Sequence, residues 1–392
     1  MALPVRPAPA PRKAHRFGRF YPAVKYSRRI SSNFTTNSLS RLTEAKRADG
    51  ERILDLTESN PTHAGIVYPD GFLNALSNPD GVLYEPEAFG LLSARETVAR
   101  EYGTSVARVV LASSTSEAYS WLFKLLCDPG CEVLIPRPSY PLFDYLAALE
   151  SVRVHHYGLF YDHGWFIDFH TLESAISERT RAIVLVNPNN PTGHYIRRQE
   201  LDKLVELAMR HQLAIISDEV FAGYAIDPDP DSVQTLRDVK EPCVFTLHGL
   251  SKAVGLPQMK LAWMIANCPP EAMARLEIIA DTYLSAATPV QLALPSLLEL
   301  RPSIEGQIRA RVKANLALLP RTLRVEAGWY AVVPVQDEEE TVERLLRERN
   351  VLVQPGYFYD FERSGYIVIS LLTPPPVFRE GLTALRDMIP GW

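Results

Sequence analysis

Short apolar runs separated by polar, helix-spaced stretches dominate residues 105–270. VARVVLAS (106–113) reads as a strand and SEAYSWLFKLL (116–126) as the helix after it. EVLIP (132–136), VRVHHY (152–157), RAIVLV (181–186), LAIIS (213–217), CVFTL (243–247) and LAWMIA (261–266) predict six further strands. RRQELDKLVELAMRHQ (197–212) carries Leu201, Leu204, Val205 and Ala208 at helical spacing. Strands that are apolar throughout, rather than alternating, belong in a sheet buried on both faces, and helices between them make it mostly parallel. The pattern therefore predicts an α/β fold with a seven-stranded type of sheet.

Beyond about residue 300 the texture changes. A long helix, IEGQIRARVKANLALL, precedes WYAVVPV, then a helix TVERLLRERN, the strands VLVQPG and YIVISLL, and a last helix ending near Met388. This predicts a smaller α+β unit. The expected division is a basic, proline-rich extension at 1–30, a segment at 31–60 packing with the small unit, a large domain at 61–299 and a small domain at 300–392.

Composition changes this picture little. The 392 residues exceed one ordinary domain, and no run of about 18 apolar residues offers a membrane span. Charge is more informative. Nine Lys/Arg precede the first acidic residue, Glu44, so the rest of the chain holds 32 basic against 46 acidic residues. The start lacks the apolar core of a secretory signal, and Pro4, Pro7, Pro9 and Pro11 interrupt any amphipathic import helix. A solvated leader on an acidic, cytoplasmic body is the expectation, with no nucleic-acid or membrane partner. Cys127, Cys131, Cys243 and Cys268 show no zinc-ligand spacing and are expected to be reduced thiols.

In open parallel sheets, chemistry collects just past the carboxyl ends of strands. SSTSEA (113–118) opens a helix after the first strand, where hydroxyls and free N–H groups suit either phosphate or simple N-capping. RPSYPLFDY places Tyr140 in a proline-framed loop, to stack on a flat ring or merely to pack. NPNNPTG (187–193) leaves Asn187, Asn189 and Asn190 at the sheet edge. Asp218 ends LAIIS, and a buried carboxylate there needs a partner, a cationic heterocycle nitrogen or a structural arginine. Lys252 follows CVFTLHGLS. Phosphate cradle, stacking aromatic, oxyanion donor, acid and amine nucleophile, in this order, are what pyridoxal phosphate requires. No G-x-G-x-x-G follows a strand, which argues against a nicotinamide dehydrogenase.

From about residue 30 onward these motifs resemble those of the fold-type I, class I/II aminotransferases, the aspartate-aminotransferase-like group. The resemblance implies a pyridoxal-phosphate transaminase that joins an amine or amino-acid donor to a keto-acid acceptor through a Schiff base on Lys252. Asp218 would pair with the pyridine nitrogen, Asn190 would reach the phenolic oxygen and Tyr140 would stack on the ring. Ser114, Thr115, Ser251 and Lys260 would hold the phosphate. Tyr84, in YEPEAFG, would reach the phosphate of a partner subunit, which implies a homodimer.

Four positions depart from the resemblance. Phe221 stands for a tyrosine, Lys260 for a phosphate-binding arginine and Gly249 for a hydroxyl residue. Val368, in SGYIVIS, stands for the arginine that clamps a substrate carboxylate. Arg28, Arg29 and Arg363 are alternative clamps, or ordinary surface residues. The departures leave room for another reaction on the same cofactor, by a lyase, decarboxylase, Claisen-type synthase or oxidase. A non-catalytic regulator would need an effector module, and no helix-turn-helix precedes residue 30.

Overall fold

A computed structural model describes residues 24–30 and 35–389. Most of the basic leader, residues 1–23, therefore lies outside the described residues.

The strands in chain order are β1 (Leu54–Asp55), β2 (Val109–Ala112), β3 (Glu132–Arg137), β4 (Arg153–Tyr161), β5 (Trp165–Ile167), β6 (Thr180–Val186), β7 (Ala214–Asp218), β8 (Val244–Gly249), β9 (Ala262–Asn267), β10 (Tyr330–Pro334), β11 (Val351–Leu352), β12 (Gln354–Pro355) and β13 (Tyr366–Ser370). Eight of them form one sheet in the order β2-β9-β8-β7-β6-β3-β4-β5. Pairing is parallel from β8 through β7, β6 and β3 to β4, and antiparallel at β2–β9, β8–β9 and β4–β5. The eighth strand, β5, was not expected from the apolar pattern. Its three residues fold back on β4 and pair Tyr161 with Trp165, too short a run to register as a period.

Successive side chains of the central strands go to opposite faces. Val133, Ile135, Val184 and Ile216 enter one core with helices Thr115–Leu126 and Pro270–Tyr283. Leu134, Ile183, Leu185 and Ile215 enter another, under helix Arg198–Arg210. That helix offers Leu201, Leu204, Leu207 and Ala208 inward, and Glu200 reaches back to the Arg197 N–H at 2.9 Å to satisfy its first turn. Each fully buried Leu or Ile contributes roughly 1.5–3 kcal/mol, so both faces of the sheet hold it rigid.

A three-stranded antiparallel sheet, β10-β13-β12, and a parallel pair, β1–β11, lie against a third core that holds Phe221, Tyr224, Trp329 and Tyr330. The N-terminal segment and the C-terminal strands are thus joined by main-chain hydrogen bonds, such as Leu54 N–H to Asn350 O at 2.7 Å. Helices Arg301–Leu316, Glu338–Arg349 and Pro375–Met388 fall where the sequence pattern placed them.

Candidate active site

The parallel register brings four strand ends level. Val186 pairs with Asp218, and Asp218 with Leu247. Asp218 ends β7, and the segments that continue from β3, β6 and β8 carry Tyr140, Asn190 and Lys252 respectively.

Asp218 is buried. One carboxylate oxygen accepts from the Tyr119 hydroxyl at 3.2 Å and the other from the Val220 N–H at 3.2 Å. Burial raises its pKa to about 6, against the lowering effect of those bonds and of Lys252. The Lys252 side chain is half-buried, and its ammonium lies 4.4 Å from the centroid of Trp329 and 5.1 Å from that of Phe221. Burial lowers its pKa to about 8, partly offset by Asp218. Two groups of opposite sign, each shifted toward neutrality by the same burial, therefore face one space.

The three asparagines of NPNNPTG separate by their partners. Asn187 donates to Val233 O at 2.8 Å and accepts from the Ile196 N–H at 3.0 Å. Asn189 accepts from the Thr192 hydroxyl at 2.9 Å. Asn190 is buried, and among the described residues neither its amide oxygen nor its Nδ2 donor has a partner. A buried amide without a partner is costly, so of the three asparagines Asn190 is the one whose Nδ2 has a donor to spare. Gly193 closes the loop at φ 73°, where a Cβ would stand 2.3 Å from Ala327 O.

Ser114 caps helix Thr115–Leu126, its hydroxyl accepting from the Glu117 N–H at 3.2 Å. Ser114, Thr115 and Ser251 are half-buried, and Lys260 is exposed in the left-handed region at φ 51°. Tyr140 lies 6.3 Å from Phe143, edge to face. Tyr84 is 79% exposed beside Val82 and Leu83, outside the Lys252 cluster.

The departures acquire physical reasons. Phe221 packs under the Lys252 amine and 5.2 Å from Trp329, so its place is a wall of the amine's pocket. The Tyr224 hydroxyl donates to the Lys252 carbonyl oxygen, which fixes the lysine's backbone instead of reaching a ligand. Gly249 would set a Cβ 3.1 Å from that of Ala262 on β9, so a larger residue crowds the strand. Val368 is fully buried. Arg28 and Arg363 are exposed, and Arg29 is bound to the Ser151 hydroxyl at 3.0 Å. None of the three is drawn into the cluster.

Tyr119, Trp329, Tyr330 and Gln354 were not singled out from the sequence. Tyr119 lies within a helix whose inward face reads as ordinary core; Tyr330 and Gln354 come from strands, and Trp329 from the bend just before β10, all more than seventy residues past Lys252.

The donor set fits pyridoxal phosphate: a buried acid for a ring nitrogen, an unpartnered amide, a helix N-terminus and an amine of lowered pKa. Comparison with known proteins points the same way. Residues 71–379 match the family model for aminotransferases of class I and II. Glutamate-pyruvate aminotransferase AlaA of Haemophilus influenzae is 31% identical over 372 residues, 87% of this chain and 91% of that protein. Alanine aminotransferase of Mycobacterium tuberculosis is 30% identical over 353 residues, 82% of this chain and 81% of that one. The crystal structure of Thermotoga maritima aspartate aminotransferase superposes with a TM-score of 0.81 over 92% of this chain and 99% of that one, at 24% identity.

Proposed function

The chain belongs to the class I and II aminotransferases, and from that premise we propose which of its residues do the work. It is a pyridoxal-phosphate-dependent transaminase, moving an amino group between an amine or amino-acid donor and a keto-acid acceptor. When bound, the cofactor supplies an aldehyde that an amine can join and a ring that accepts electrons from a breaking bond.

Lys252 is the amine that attaches the cofactor. At pKa about 8, about a tenth of such amines are neutral at pH 7, against roughly one in three thousand ordinary lysines. With a substrate amine in its place, the freed Nζ would be the base that takes up and returns the proton of the substrate carbon. Asp218, held by Tyr119 and Val220, keeps the ring nitrogen protonated. Asn190 donates to the phenolic oxygen, and Tyr140 covers the ring. Ser114, Thr115 and the first N–H groups of their helix take the phosphate with Ser251 and Lys260.

The exposed Tyr84, with Val82 and Leu83, marks the face by which two chains form a homodimer, each lending its tyrosine to the other's phosphate. We read residues 61–299 as the domain that carries the cofactor and 300–392 as the smaller one. Four unpaired cysteines favour a cytoplasmic setting.

The observation that carries this reading is the buried Asp218 facing a half-buried Lys252 of lowered pKa, with the Asn190 Nδ2 unpartnered among the described residues. Two relatives are named for alanine, glutamate and pyruvate, so these come first as trial substrates. Protein loaded with pyridoxal phosphate should absorb visible light, and Lys252→Ala should abolish that band. L-alanine or L-glutamate should bleach the band and pyruvate restore it. A band that no amine in a broad panel alters would refute the assignment.

A further inference from the structure

The β10-β13-β12 sheet turns one face toward the Lys252 site. Paired residues on antiparallel strands point the same way, as do residues two apart on one strand. Tyr330 pairs with Ser370, and Val368 has Val332 on one side and Gln354 on the other, so all five share that face. The Tyr330 ring lies 6.4 Å from Phe221, the residue under the Lys252 amine. The Tyr330 phenol also interacts electrostatically with Tyr140, which in turn senses Asp218. Tyr359 joins this group from the turn after β12, its ring 6.2 Å from that of Tyr330.

Gln354 is the residue of this face with capacity to spare. It is 7% exposed, and the Tyr359 hydroxyl donates to its amide oxygen. That bond fixes the carboxamide and leaves both Nε2 hydrogens without an acceptor among the described residues. None of the side chains on this face is a cation. Arg137, at the end of β3, spends its guanidinium on Asp360 at 2.7 Å.

We propose that Gln354, oriented by Tyr359, receives the carbonyl oxygen next to the reacting carbon of the substrate. Because it does so as a neutral donor, the site takes α-amino amides and esters as well as α-amino acids. The inference rests on the transaminase reading above. A neutral hydrogen bond changes affinity about 2- to 10-fold, whereas a hydrogen-bonded guanidinium favours a carboxylate by roughly 10- to 100-fold. The neutral site therefore discriminates weakly between acid and amide.

Two measurements on the holoenzyme test this. Calorimetric titration with 3-phenylpropanoate and 3-phenylpropanamide, which carry no amine, reads the clamp without any reaction. Cofactor absorbance titrated with L-alanine and L-alaninamide, at matched free-amine concentration, reads it within the half-reaction. Within each pair, wild-type affinities should agree to within 10-fold. Gln354→Leu should weaken both members by a similar factor of about 2 to 10. Gln354→Glu keeps an acceptor for Tyr359 but presents an anion, and should weaken the acid at least 10-fold more than the amide. This within-variant ratio is insensitive to any general loss of folding. A wild-type preference of 100-fold or more for either member overturns the proposal. So does failure of both amine-free compounds to bind, or indifference of both pairs to both substitutions. If the amine-free pair behaves as expected but no amine alters the absorbance, the transaminase reading fails while the clamp stands.

Discussion

Replacing Lys252 by methionine should stabilise the cofactor-free protein while destroying its activity. The amine's pKa falls from 10.5 to about 8 on folding because burial disfavours the ammonium form. Each pKa unit is worth about 1.36 kcal/mol, so holding Lys252 charged at neutral pH costs about 3 kcal/mol. Methionine has a similar length, fills the space against Trp329 and Phe221, and carries no charge to desolvate. Part of the gain is returned, since the variant leaves Asp218 without its cationic neighbour. A net stabilisation of about 1–3 kcal/mol at pH 7 is expected.

The pH dependence gives the more demanding check. For a base whose folded pKa is depressed, the unfolded chain holds the extra proton between the two values, so stability rises with pH in that window. The penalty is complete below about pH 8 and gone above 10.5. Urea midpoints of wild type and Lys252→Met, measured without cofactor from pH 6 to 10, should therefore differ most at pH 6–7.5 and converge as pH rises. A variant less stable than wild type at pH 7, or a difference constant with pH, would show that the amine is not held against its hydration.

Asp218→Asn should weaken pyridoxal phosphate binding most above pH 6, where the wild-type carboxylate is ionised, and the two proteins should converge below it; fluorescence titration from pH 5 to 8 measures this, and parallel curves would refute it. Arg197→Met should lower unfolding free energy by about 2–4 kcal/mol, because the fully buried Glu326 loses its bonded guanidinium and keeps only Arg324, at 3.7 Å, as a cation; calorimetry or urea unfolding decides, and a loss below 1 kcal/mol would contradict it. If partner subunits exchange Tyr84, then Tyr84→Ala and Lys252→Ala proteins, each nearly inactive, should regain up to about a quarter of wild-type activity when unfolded and refolded together, since half the dimers carry one intact site. No recovery despite mixed dimers would place Tyr84 outside the neighbouring site.

Much of this molecule is legible in its sequence, for a physical reason. The central strands are buried on both faces, so each must be apolar from end to end, and the first polar residue past each run marks the sheet edge. Asp218, next after LAIIS, announces itself in this way; Lys252, five residues past CVFTL and preceded by His248 and Ser251, is found by its place after NPNNPTG and SDEV. What could not be read was partnership across distance. Which of Asn187, Asn189 and Asn190 stays free depends on Val233, 46 residues on in the first case, and on Thr192 in the second. Gln354 looks like one polar residue in a short strand until the register sets it against Val368 and the Tyr359 hydroxyl fixes its amide. The two-residue strands β1 and β11 are too short to carry any period, and only their pairing defines them.

The same burial that made the strands readable also determines the chemistry. A dry strand end raises Asp218 and lowers Lys252, so neither group is held in the state it would prefer in water. Each charge partly relieves the other, and neither is neutralised by a bonded counter-ion: Asp218 accepts only from neutral donors, and the ammonium rests on two aromatic faces. A ligand with a protonated ring nitrogen gives Asp218 the cation it lacks, and an aldehyde on that ligand consumes the amine whose charge is costly. On the proposed reading, binding relieves both costs together, so affinity and reactivity have one origin. The face proposed for the substrate is built differently, from phenols and a carboxamide whose oxygen is fixed by Tyr359 while its Nε2 keeps hydrogens to donate. On that reading, charge is concentrated where bonds are made and broken, and a neutral donor stands where a substrate need only be held.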